Sequence, residues 1–139
     1  MPVVTVRKSV ESRGHNHTLD ITTDVAGAVA ESGISSGIAT IFVTGSTAGI
    51  TTIEFEPGCV HDLDAAFERL FPRDLQYRHH ERWGDDNGHS HIRAAMLGPS
   101  MTVPFEQGQL LLGTWQQIIL VDFDTRPRTR NYVVQIIGE

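Results

Sequence analysis

At 139 residues the chain is long enough to bury a core without disulfide or metal staples, and one domain spanning residues 1–139 is expected. A formal net charge of −6 excludes wholesale binding of nucleic acid, which needs a surplus of Lys and Arg, and no apolar run approaches the ~20 residues of a membrane-spanning helix. The opening Met-Pro-Val-Val-Thr-Val-Arg alternates like a strand and does not read as a secretory signal, while Cys59 has no second cysteine to pair with, so a cytoplasmic protein is expected.

Residues 3 to 10 alternate apolar and polar side chains with the period of a half-buried strand. From Thr22-Thr23-Asp24 the spacing of Val25, Ala26, Val29 and Ala30 predicts a short helix, with a threonine able to cap it and Gly33 placed to stop it. Residues 37 to 44 and 50 to 55 are β-branched and aromatic and flank the turn Gly45-Ser46-Thr47-Ala48-Gly49. A second helix opens at His61 or Asp62, puts Leu63, Ala66, Phe67, Leu70 and Phe71 on one face, and closes at Pro72. Residues 75 to 80 read as a short strand and 83 to 90 as a polar loop, after which Ser90 caps a helical segment from His91 to Leu97. Strands at 100 to 105, 109 to 113, 116 to 124 and 129 to 137 complete the chain, with Thr125-Arg126-Pro127-Arg128 as the last hairpin turn. Many strands with two or three short helices predict an α+β fold, a β-rich sandwich of mostly antiparallel strands.

Of the chain's seven histidines, His79, His80, His89 and His91 fall within thirteen residues. In an extended segment His89 and His91 point to the same face, where two imidazoles can serve one metal ion or one anionic substrate. A second such pair, His15 and His17, shows how weakly the spacing discriminates; solvated surface histidines are the bland reading. Arg126, Arg128 and Arg130 fall within five positions and suit a phosphate or carboxylate, or else pair with Asp122 and Asp124 at a hairpin. Glu54, Glu56 and Asp62 are candidate partners for the histidines. Ser46 and Thr47 suit an anion contact better than a nucleophile, since no base is adjacent. Trp115 reads as core or subunit contact ahead of ligand stacking. Gln116 and Gln117 point to opposite faces of a strand, so one is expected to turn inward as a pocket residue. No phosphate loop, dinucleotide fingerprint or nucleophile elbow is present.

Taken in order, Ser46-Thr47-Ala48-Gly49-Ile50 with Glu54, Tyr77-x-His79, Asn87-Gly88-His89-Ser90-His91-Ile92, Leu97-Gly98, Pro104, Gly108, Leu112-Gly113-Thr114-Trp115-Gln116 and Arg126-x-Arg128 resemble the YjbQ-like family over nearly the whole chain. The resemblance implies a compact β-rich α+β domain, a homotrimer, and an activity described for such proteins as secondary thiamine-phosphate synthase. It carries over His79, His89 and His91 as the site and its metal ligands, with Arg126 and Arg128 as the basic pair of the last hairpin. One departure stands out: Gly45 occupies a position where many relatives have histidine.

Three functions are therefore in competition. A thiamine-phosphate synthase-like enzyme would use His79, His91 and Glu54 in catalysis, and Ser46, Thr47, Gln116, Arg126 and Arg128 to bind a small phosphorylated substrate, usually with Mg2+. A metal-dependent phosphate-ester hydrolase would hold a divalent ion such as zinc on His79, His89 and His91. A trimer that binds metal or a small anion without catalysis is the third.

Overall fold

The computed structural model describes residues 1–139, the side chain of Trp83 excepted. The elements in chain order are β1 (Val3–Ser12), β2 (His17–Asp20), α1 (Thr22–Glu31), β3 (Gly37–Val43), β4 (Ala48–Ile53), α2 (Pro57–Leu70), α3 (Arg78–Trp83), α4 (Gly88–Leu97), β5 (Ser100–Glu106), β6 (Gln109–Leu110), β7 (Gln117–Asp122) and β8 (Arg128–Gly138). The strands form a five-stranded sheet, β1-β8-β3-β5-β6, and a three-stranded sheet, β2-β7-β4, with antiparallel pairing throughout. The α+β class and its antiparallel sheets agree with the sequence reading, with four helices in place of two or three.

β7 explains the layering. Ile118 and Leu120 on one face join the core shared with Ile41, Val43, Val134 and Ile136 of the larger sheet and with Val25 and Val29 of α1. Ile119 and Val121 on the other face meet Phe67 of α2 and Ala94 of α4, with Phe123 just beyond the strand. A strand buried on both faces reads as a continuous apolar run, and each such side chain contributes roughly 1.5–3 kcal/mol. The larger sheet has its inner face on this core, whereas Val3, Ile38 and Phe42 on its outer face are exposed.

Local chemistry revises several expected boundaries. α2 starts at Pro57 rather than His61 or Asp62, because the Glu56 carboxylate accepts hydrogen bonds from the Gly58 and Cys59 amides and Pro57 sits where a missing N–H costs nothing. Threonine does not cap α1: the residue at that position is Ile21, and the Thr22 hydroxyl instead accepts from the Ile118 amide at 2.8 Å. The strand expected at 75 to 80 is replaced by the short helix α3, and α4 begins at Gly88, three residues before His91. Two close approaches lock α4 in place. A Cβ on Gly49 would lie 2.7 Å from Leu97 Cδ2 and 2.9 Å from the Gly98 carbonyl, and one on Gly88 would lie 2.5 Å from Tyr77 Cβ.

Candidate functional site

The inward face of β7 changes from apolar to charged at its last residue, where Asp122 follows Ile118 and Leu120. β8 enters the same layer with Arg130 ahead of Tyr132, Val134 and Ile136. The two meet at 2.7 Å, with side-chain exposures of 2% and 0%. Burial pushes the Asp122 carboxyl up, but hydrogen bonds from Arg130 and the Asp124 amide outweigh it and hold it below the ordinary carboxylate range. Arg130 also donates to the Thr47 hydroxyl, which donates in turn to Asp124 at 3.2 Å. Asp124 further accepts from Asn87 at 3.2 Å and from Arg128 at 3.1 Å. One buried carboxylate thereby ties together the turn before β4, the segment leading into α4 and the last hairpin.

Above this lattice stand two imidazoles. His79 on α3 and His91 on α4 have ring centroids 4.5 Å apart with planes tilted by 57°. His79 Nε2 lies 3.3 Å from the Asp85 carboxylate. Burial lowers the affinity of His91 for a proton and His79 adds to that, while Asp124, Asp85 and a hydrogen bond to the Ser46 backbone act in the opposite sense without reversing it. The His91 ring is therefore neutral at physiological pH and able to accept a proton. It opens onto a hollow of about 440 Å3 whose walls include Gly45, Ser46, Ala48, Ile92 and Pro99, and which is apolar apart from His91 and Ser46. A hollow of that size suits a small organic ligand.

The remaining candidates divide between this corner and other places. Ser46 lines the hollow, whereas Thr47 is turned inward as part of the lattice. Arg128 is held by Asp124, which is the hairpin pairing that competed with phosphate binding in the sequence reading. Arg126 lines an adjoining polar hollow of about 260 Å3 with Asp85, Asp86, Asn87 and Asp124. Glu54 and Gln116 do not reach the histidines. Ala48 pairs with Asp122 at one end of the small sheet and Ile53 with Gln117 at the other, a separation of roughly 17 Å along the strand. Gln116 spends its side chain on the Gly113 amide and the Thr52 hydroxyl, and Gln117 accepts from the Phe55 amide, so neither enters the core. Trp115 is 71% exposed and is no core residue.

The largest correction concerns His89 and His91. They lie on a helix, where residues two apart face nearly opposite directions, and not on an extended segment. His89 is buried against Tyr77 and Ser90 and looks into a different hollow, so it does not join His79 and His91 as a third ligand. Among the described residues no three His, Cys, Asp or Glu side chains are arranged to hold a metal ion. Asp85, beside His79, and Arg93, beside His89, are neighbours that the sequence reading did not single out, and Asn87 entered it only as part of a motif. Only the i, i+4 spacing of His89 and Arg93 carried a signal, and it becomes visible once the segment is taken as a helix.

Known proteins match this chain along its length. The family described as UPF0047 protein YjbQ-like matches residues 7–139. The UPF0047 protein of Methanocaldococcus jannaschii is 36% identical over 131 residues, covering 94% of this chain and 91% of the relative. The UPF0047 protein YugU of Bacillus subtilis is 33% identical over 130 residues, covering 93% and 96%. Among solved structures, a YbjQ-like protein of unknown function from Sulfolobus solfataricus superposes with a TM-score of 0.89 at 33% identity, covering 99% of this chain and all of that one. An uncharacterised YjbQ/UPF0047 protein from Clostridium acetobutylicum gives 0.87 at 38% identity, covering 95% and 99%.

Proposed function

The chain belongs to the YjbQ-like UPF0047 family, and from that premise we propose that it is an enzyme acting on small phosphorylated ring compounds by thiamine-phosphate synthase-like transfer. The observation that carries the reading is the His79–His91 pair, rings 4.5 Å apart, of which His91 lines an apolar hollow of about 440 Å3. In that reaction the thiazole nitrogen forms a bond to the methylene carbon of the pyrimidine, and the carbon–oxygen bond to pyrophosphate breaks with its electron pair leaving on oxygen. The apolar wall of Ala48, Ile92 and Pro99 shields the electrophilic carbon from water. Ser46 on the wall of the hollow and Arg126 in the adjoining one meet the phosphate groups, Arg126 offsets the negative charge that builds on the departing pyrophosphate, and His79 and His91 orient the reacting rings.

A divalent cation belongs to this proposal. Magnesium suits carboxylate oxygens such as those of Asp85 and Asp86, whereas zinc suits the two imidazoles. The imidazole pair also favours a second reading, a metal-dependent phosphate-ester hydrolase, in which a homotrimer supplies the missing ligand from a neighbouring copy. The uncovered outer face of the five-stranded sheet, with Val3, Ile38 and Phe42 exposed, gives such an assembly an apolar surface.

The test compares the native protein with His91→Ala and His79→Ala. Pyrophosphate release that requires both thiamine precursors and falls at least about 100-fold in either variant supports transfer. Turnover of a generic phosphate ester in proportion to bound zinc replaces it with hydrolysis. Stoichiometric metal or phosphate binding with no turnover of either substrate rejects both in favour of a binding trimer.

A further inference from the structure

Gly45 is a glycine that its own backbone does not demand. Its φ is not in the left-handed region, so the position calls for missing volume rather than for conformational freedom. A Cβ there would lie 2.7 Å from Arg130 Nη1 and 3.9 Å from Arg130 Cζ, and apart from the chain neighbours Thr44 and Ser46 nothing else would come within 4 Å. The gap is open space with one guanidinium at its end. Thr44 fixes it beside β8, since its amide and its hydroxyl both donate to the Asn131 carbonyl at 3.1 Å. The same Gly45 lines the hollow of about 440 Å3 next to Ser46, and His91 lies on its wall.

Arg130 has donors to spare. Its side chain is 2% exposed, and Nη2 makes both of its hydrogen bonds, to Thr47 and to Asp122. Nε is sealed from water without a partner; Nη1 has no acceptor among the described residues either, but it is not sealed. A buried N–H without an acceptor carries a desolvation cost that a water or a ligand group can offset. Charge is already balanced. Arg130 and Arg128 stand against Asp122 and Asp124 at 2.7 to 3.9 Å, two cations against two carboxylates. An entering anion would meet a neutral lattice backed by those carboxylates, whereas an uncharged acceptor engages Nη1 and adds no charge.

We propose that the gap over Gly45 is the acceptor subsite of this hollow, admitting the ring-nitrogen or carbonyl edge of an uncharged planar heterocycle that accepts a hydrogen bond from Arg130 Nη1 while its ring lies against Ala48, Ile92 and Pro99. Gly45 then sets specificity, because any side chain would fill the space between ligand and guanidinium. The subsite rests on the reading of this hollow as the substrate pocket, and adds to it the edge by which the ring is held.

Titration of the full chain with 4-aminopyrimidine and with aniline, followed by nitrogen NMR in mildly alkaline buffer where both are uncharged, tests it. The two rings are of one size, and only the first has ring nitrogens that accept a hydrogen bond. 4-Aminopyrimidine should bind saturably, at least about ten-fold tighter than aniline, the share of one hydrogen bond from a charged donor, and should shift the Arg130 guanidinium resonances. Gly45→Ala, whose methyl covers Nη1, should weaken it to the level of aniline with circular dichroism native. The two probes and the Arg130 shift decide the matter on the native chain even if that variant does not fold. Equal affinity for the two rings, saturation with no Arg130 shift, no binding of either, unchanged binding in folded Gly45→Ala, or inorganic phosphate shifting Arg130 at a lower concentration than the heterocycle would each overturn the proposal. Pyrophosphate release is scored separately: its absence rejects transfer and leaves these binding results standing.

Discussion

The two faces of α4 carry one histidine each, two residues apart, and have opposite physics. His91 stands at the edge of an open apolar hollow with another imidazole beside it, a mobile proton site with few commitments. His89 is shut into a polar pocket between Arg93, Arg73 and Tyr77 and is driven to the neutral form, its pKa lowered to about 4 first by burial and then by the two guanidinium groups. The contrast shows that a shared residue type and a short spacing say nothing about shared work. On a helix the backbone sends the two rings to different environments, and each environment decides the chemistry.

If the His89 face is structural framework and the His91 face is not, removing each should separate stability from function. Arg93→Ala leaves the part-buried Phe71 carbonyl and the Asn16 amide oxygen without their donor, and should cost about 3 kcal/mol. Glu68 is half-exposed and can turn to water, which keeps the cost from rising further. His91→Ala removes a side chain at a solvent-facing rim and should cost less than about 1 kcal/mol while abolishing turnover. Urea unfolding of the two variants checks this; equal losses would dissolve the distinction between the faces.

The pH dependence of stability sharpens it. His89 has a pKa of about 4 when folded and 6.5 as its ordinary value, so between those limits the unfolded chain binds the extra proton. Its contribution is complete above pH 6.5 and is lost as the pH falls toward 4, amounting to about 2 kcal/mol between pH 7 and pH 5. His91 and His17 are shifted in the same direction by burial, so the native curve contains their shares as well. Subtracting the curve of His89→Phe isolates the His89 share; parallel curves would mean that His89 is not held neutral.

Most strands were legible, from alternation with period two or, for β7, from a continuous apolar run, whereas β2 (His17–Asp20) was not read as a strand. The sheets of this fold, and the apolar face of α2 from Leu63 to Phe71, follow from alternation and helical spacing. The start of α4 was not legible because its buried face is polar: Gly88, His89, Ser90 and Arg93 supply no apolar periodicity until Ala94. α3 was misread for a related reason, since six residues without an apolar stripe carry no helical signal and Tyr77-Arg78-His79 resembles a strand. The site inherits these errors. His79 and His91 were picked for their chemistry, but that they pair, that His89 does not, and that Asp124 anchors three segments beneath them are consequences of helix placement and strand register.

The smallest effect belongs to the far end of the small sheet and asks whether the catalytic unit is one chain. Glu54 and Gln116 sit roughly 17 Å from the Ala48 end of β4, beyond the reach of any side chain on the His91 face. Within a protomer, Glu54→Gln should change kcat and KM less than about two-fold, since an interaction absent from the reacting complex cannot alter its barrier. In a cyclic trimer the situation differs, because head-to-tail interfaces join unlike patches and would bring the Glu54 and Trp115 end of one copy against another part of its neighbour. A drop of ten-fold or more, in a variant that sediments as the native protein does, would place Glu54 in a site completed across subunits. A near-native rate would confine the chemistry to the corner that His79, His91, Asp85 and Ser46 form within one chain.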